Sequence, residues 1–92
     1  MALSFDDRIS IPDEVVFREL DGEGVVLNVE SGIYFGLDDV GTRIWQWLAT
    51  LPTLTAVRAA MHDCYDAPAM QLDADLLAFV EQLRDKGLVV IA

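Results

Sequence analysis

The chain has 92 residues, 53% of them apolar, and sixteen acidic residues stand against six basic ones for a net charge of −10. That length makes one domain, 1–92, with one modest core; the apolar content argues against disorder, and the charge argues against nucleic acid, whose phosphates it repels. No apolar run nears the ~20 residues of a membrane span, the start lacks the basic and apolar stretches of a secretory signal, and a single cysteine, Cys64, excludes an internal disulfide, so the expectation is a soluble cytoplasmic protein.

Residues 1–14 read as an extended lead-in, with Ile11 held extended by Pro12. Val15–Leu20 is rich in β-branched and aromatic residues and suits a strand. Asp21-Gly22 tolerates the positive φ of a tight hairpin, and Val25–Val29 forms the second strand. Glu30-Ser31-Gly32 is the next turn, and Ile33–Leu37 the third strand. Two short connections in succession make an antiparallel meander. The period then becomes helical. Asp38 and Asp39 stand at an N-cap, and Val40, Ile44, Trp47, Leu48 and Leu51 mark a helix over 39–50, ended by Pro52. Trp47 belongs to this core stripe, while Trp45 lies on its flank. Thr53 or Thr55 caps a second helix with a stripe of Leu54, Val57, Met61 and Cys64. Asp66-Ala67-Pro68 breaks it, and a third helix runs from Leu72 to Lys86. Asp73 and Asp75 near its start, Arg84 and Lys86 near its end, suit the macrodipole, and Gly87 suits C′. Leu88–Ile91 reads as a short terminal strand or tail. The fold class is α+β: a three-stranded antiparallel sheet followed by three helices, winged-helix-like, with the helices covering the sheet.

The residues carry little catalytic chemistry. His62 and Cys64 are two apart with no second His or Cys to complete a metal site. Two apart on a helix they point to different sides and make no nucleophile–base pair. The expectation is a partly exposed His62 beside a buried Cys64. The acid pairs Asp6-Asp7, Asp13-Glu14 and Asp38-Asp39 fit solvated segments or caps. Gly22-x-Gly24 lies in a hairpin, where a phosphate loop would precede a helix. No metal and no cofactor is expected.

Two features stand out. The third strand ends the meander, and GIYFGL has no Lys or Pro to block pairing at its outer edge. Proteins usually blunt such edges, so this one suits strand addition by a partner, or pairing of two copies as a homodimer. In the third helix Leu72, Leu76, Phe79 and Leu83 fall within about 40° of one another, with Val80 at roughly 80° and Leu77 at roughly 140° beside Arg84. That arc is wider than one packed face needs; it lines a groove or marks a helix buried on two sides.

The succession DGEGVVLNVESGIYFGLDDVGTRIWQWL, CYDAPAM and DADLLAFVEQLRDKGLV resembles the PqqD family from about Phe17 to Val90. The most specific pieces are Leu27 with Gly32-Ile33-Tyr34-Phe35, Gly41 with Ile44-Trp45, and Asp75 through Leu83 to Gly87-Leu88. VLNVESGIYFGLDDVG is closer to the lasso-type and stand-alone members, and the C-terminal pieces to PqqD proper. The resemblance implies a non-enzymatic module that binds the leader of a ribosomally made precursor peptide. The leader adds beside the third strand, against the third helix, and is presented to a modifying enzyme, either a radical SAM protein or a leader peptidase. Carried onto this sequence, the peptide-binding residues are Ile33, Tyr34, Phe35 and Gly36 on the strand and Leu76, Leu77, Val80 and Arg84 on the helix. Phe79 replaces Leu77 if the helix is rotated the other way. Arg84 is expected to pair with a leader carboxylate. The alternative from another class is a winged-helix DNA-binding regulator using Arg58, Arg84 and Lys86, which the net charge disfavours.

Overall fold

A computed structural model describes residues 4–21, 23–51 and 53–91; the expectations resting on Gly22 and Pro52 lie outside the described residues. In chain order the elements are β1 (Ile9–Ser10), β2 (Val15–Leu20), β3 (Glu23–Asn28), β4 (Tyr34–Leu37), α1 (Asp39–Thr50), α2 (Leu54–Cys64), α3 (Ala69–Asp85) and β5 (Val90–Ile91). The architecture is α+β, as the pattern of periods predicts.

The central strand shows why a sheet forms here. Gly24, Val26 and Asn28 of β3 are buried, and Val25 and Leu27 between them face the other way, half-buried. β2 and β4 flank it antiparallel in the order β2-β3-β4, with Val26 opposite both Phe17 and Phe35. The buried face meets the helices in a core built from Val26, Leu37, Ile44, Leu48, Leu54, Val57, Met61 and the inner face of α3. Gly24 is there because α1 comes close: a Cβ on it would stand 2.5 Å from Thr42 Oγ1 and 2.9 Å from Phe17 Cε1.

Asn28 is the one buried polar residue among the described residues, and it is fully used. Its Oδ1 accepts the N–H groups of Glu30 (2.9 Å) and Ser31 (3.1 Å), shaping the β3–β4 turn, and its Nδ2 donates to the Gly87 carbonyl at 3.4 Å. One side chain thus ties the start of β4 to the end of α3. Gly32 completes the turn at φ +77, a conformation that costs a residue with a Cβ about 1–2 kcal/mol.

The helices are capped as their sequences suggest. Asp38 Oδ1 accepts the Gly41 N–H at 2.7 Å, and Thr53, rather than Thr55, caps α2 through the Ala56 N–H at 3.2 Å. Gly87 stands in the left-handed region beyond α3 at φ +73.

Several expectations need correction. The second strand runs over Glu23–Asn28 and the third starts at Tyr34, one residue after Ile33. Pro68 separates α3 from α2 and also serves as its N-cap, at φ −55 and ψ 134; the helix begins at Ala69, three residues before Leu72, since a residue before the first turn needs no backbone N–H. Trp45 is the buried tryptophan at 4% exposure, whereas Trp47 is half-buried, edge-on to Tyr65. Cys64 is exposed; Arg43 Nη1 donates to its sulfur at 3.0 Å, which is the leading cause of a raised Arg43 pKa. The terminal strand β5 pairs antiparallel with β1, Ile9 opposite Ile91, so the lead-in is partly a strand. Among the described residues no helix is long and apolar enough to cross a membrane.

Candidate functional site

Because β5 is taken by β1, the outer edge of β4 carries no strand among the described residues. The ladder decides which groups that edge offers. The Asn28 N–H donates to the Ile33 carbonyl at 2.8 Å, so Asn28–Ile33 is a hydrogen-bonded pair. Antiparallel ladders alternate bonded and non-bonded pairs. Val26–Phe35 and Gly24–Leu37 are therefore bonded pairs as well, while Leu27–Tyr34 and Val25–Gly36 are not. The N–H and C=O groups of Tyr34 and Gly36 point outward. The other edge of the sheet, β2, carries Arg18 and Glu19, which discourage pairing; β4 has no charged residue.

Beside the open edge runs a trough of about 540 Å³. Its strand side is Phe35, Gly36 and Leu37, and its floor comes from Val40, Gly41 and Ile44 in the first turns of α1. Its far wall is Asp75, Phe79 and Gln82, three positions at helical spacing on α3. Phe79 reaches across to Phe35, ring centroids 6.1 Å apart and planes at 86°. Gly41 suits the cap rather than the ring: a Cβ there would stand 3.1 Å from Asp38 Oδ1 but in ordinary contact, at 3.5 Å, with Phe79 Cε1. Lys86, just past the end of α3, places its Nζ 5.7 Å from the centre of the Phe35 ring.

The residues expected to bind a peptide fall into two groups. On the strand, Phe35 and Gly36 line the trough, Tyr34 sits on the free edge at 70% exposure, and Ile33 lies just before it at 41%. On the helix, Leu76 and Val80 are 0% exposed, so they support the wall from behind and have no surface to offer. Leu77 and Arg84 are partly buried and lie off the trough, on the other flank, and Arg84 leans on Asp85 at 3.4 Å. Phe79, which the sequence offered in place of Leu77, is the one that lines the trough.

The other flank of α3 faces α2. Asp73, on the flank opposite Asp75 and Gln82, meets α2, where Arg58 Nη2 stands 2.9 Å from its Oδ2 and His62 Nε2 2.8 Å from its Oδ1. Desolvation pushes the Asp73 carboxyl up, but the hydrogen bonds from His62 and Arg58, reinforced by their charges, outweigh it and hold the pKa below the ordinary value. Sequence reasoning missed Asn28, Val40, Asp75 and Gln82; Asn28 had a local signal, an Asn directly before a turn. No group of three or more metal-ligating side chains occurs among the described residues.

Comparison with known proteins places this geometry in context. The protein-family model for coenzyme PQQ synthesis protein D (PqqD) matches residues 23–89. Among solved structures, the chain is similar to that of TbiB1 in complex with the TbiA(beta) leader peptide, at 35% identity and a TM-score of 0.79, covering 87% of this chain and 93% of that one. It shares its fold with lasso peptide synthetase B1 complexed with the leader peptide, at 23% identity and a TM-score of 0.79, covering 89% and 96%. No curated protein matches significantly. A match spanning both the sheet edge and the helix that wall the trough makes this chain a member of the PqqD family.

Proposed function

We propose that this protein binds the leader segment of a ribosomally made precursor peptide without catalysis, as a fourth strand on β4, and presents it to a modifying enzyme. The observation that carries the reading is the edge of β4, which no strand covers among the described residues, opening directly onto a largely apolar trough. Tyr34 and Gly36 supply backbone bonds that any extended peptide can make, and the trough supplies selectivity by taking alternate side chains. The similarity to TbiB1, solved with a leader peptide bound, supports the same reading. The modifying enzyme, a radical SAM protein or a leader peptidase, would meet the leader outside this edge. A second copy pairing on β4 would compete with the leader, so this reading places the working form as a peptide-bound protomer.

Of the bases the DNA-binding alternative would use, Arg58 is paired with Asp73 and Arg84 with Asp85, and Lys86 alone does not offset a net charge of −10. The test is titration of the protein with a labelled synthetic leader, taken from the precursor encoded beside its gene, followed by fluorescence anisotropy. Saturable binding that disappears in a folded Tyr34→Pro variant is expected; unchanged affinity in that variant would overturn strand addition at β4.

A further inference from the structure

The trough is charged differently at its two ends. Asp75 lines the trough together with Asp38, which follows the C-terminal end of β4, while Lys86 stands just outside the lining, its Nζ 5.7 Å from the centre of the ring of Phe35 near the N-terminal end of β4. Among the described residues none of Asp38, Asp75 and Lys86 enters an ion pair, whereas the neighbouring Asp73, Arg84 and Asp85 all do. Between the two ends the lining is mainly apolar, formed by Phe35, Ile44 and Phe79, with the neutral Gln82 beside them.

The distances match an extended chain. The eleven-residue step from Asp75 to Lys86 rises about 16 Å at ~1.5 Å per residue. The first and fifth residues of a strand lie four steps, about 13 Å, apart, and the long side chains at the two ends span the remaining few ångström. In a strand, every second side chain faces the same way, so the first, third and fifth residues of such a segment meet the acidic end, the apolar middle and the basic end in turn.

We infer, on the basis of the peptide-binding reading above, that the occupant is a segment of the form basic–x–apolar–x–acidic. A Lys or Arg faces Asp75 and Asp38, an apolar side chain enters between Phe35 and Phe79, and an Asp or Glu faces Lys86. The order follows from antiparallel pairing with β4, the more stable ladder per residue, which puts the occupant's N-terminal end beside Asp75. Charges at the rim fix register and orientation more than they add affinity. An acidic protein of net charge −10 thereby selects one acidic group at one place.

The experiment is selection of random 12-residue peptides displayed on phage against the full chain, with enriched sequences then synthesised and titrated by anisotropy at low and physiological salt. The basic–x–apolar–x–acidic order should dominate, and exchanging its two charges should weaken binding about 3- to 10-fold. The double variant D75K/K86E, at two exposed positions, should prefer the exchanged order; D75N and K86Q should each flatten the preference. Enrichment of apolar peptides with no charge order, or an unaltered preference in D75K/K86E, would overturn the polarity. Enrichment no greater than on a Tyr34→Pro control would instead overturn peptide binding at this edge.

Discussion

The Phe79 ring stands edge-on to Phe35, at 6.1 Å and 86°, and so joins α3 to the open strand across the trough. Both residues are only partly buried, which leaves their outer surfaces to a ligand. The pair is at once structural and available.

Truncating the pair should separate these roles. Phe35→Ala and Phe79→Ala are each expected to destabilise by roughly 2 kcal/mol, less than a fully buried Phe. The double variant should reveal a coupling of about 0.5–1.5 kcal/mol in urea unfolding. Leader affinity should fall about tenfold or more in Phe79→Ala, whereas Leu77→Ala should leave it within about twofold, since Leu77 lies off the trough. Equal losses in the two would show that the wrong flank has been assigned.

Proline scanning tests the direction of the backbone groups. The Tyr34 N–H points away from the sheet, so Tyr34→Pro removes no ladder bond and should leave the melting temperature nearly unchanged while leader binding is lost. Phe35 pairs with Val26, so Phe35→Pro leaves a ladder carbonyl unpaired and should cost on the order of 1–3 kcal/mol. Thermal melts and anisotropy titrations of both variants decide between the two registers.

Asn28 should behave as a positioning residue. Asn28→Ala leaves the Glu30 and Ser31 N–H groups and the Gly87 carbonyl without their partner, at a cost of about 1–3 kcal/mol. Leader affinity should fall too, since β4 and α3 lose a shared anchor. A variant whose stability falls but whose titration curve, measured well below its melting temperature, is unchanged would confine Asn28 to folding.

Acid should weaken the α2–α3 contact. The Asp73 pKa is lowered in the folded protein from the ordinary value of 3.8, so its stabilisation is present above that value and is lost as pH falls through the lower folded one. The urea midpoint of the wild type should therefore exceed that of Asp73→Asn above pH 3.8, and the gap should close on further acidification. A gap that persists at the lowest pH would assign the effect to shape rather than charge.

Crowding at Gly24 offers a check on the core. Gly24→Ala drives a methyl group into Thr42 Oγ1 and Phe17 and should cost about 1–3 kcal/mol. Thr42→Ala in the same chain should restore part of it, read from urea unfolding of the three variants.

The free edge was legible because three consecutive strands with short turns leave the last one outermost, and YFGL contains nothing that refuses a partner. The orientation of α3 was not. Leu72, Leu76, Val80 and Leu83 mark its buried centre, but Leu77 on one flank and Phe79 on the other are both apolar. Local periodicity gives them equal claim. What distinguishes the flanks is a long-range contact, with Asp73 on the Leu77 side reaching Arg58 and His62 on α2, residues fifteen and eleven away in the chain. Trp45 and Trp47 were exchanged for a related reason. α1 is covered by both sheet and α2, so its buried surface is broader than a single stripe. Cys64, the last residue of α2, is exposed, with only Arg43 among the described residues bonded to its sulfur.

A strand of four residues has room for only two outward-facing rungs, at Tyr34 and Gly36. So short a handrail grips weakly whatever lies along it, and most of the hold must come from side chains fitting the trough beside it. Such a grip favours rapid exchange. Under the peptide-binding proposal, one protomer would release its leader readily and take up another.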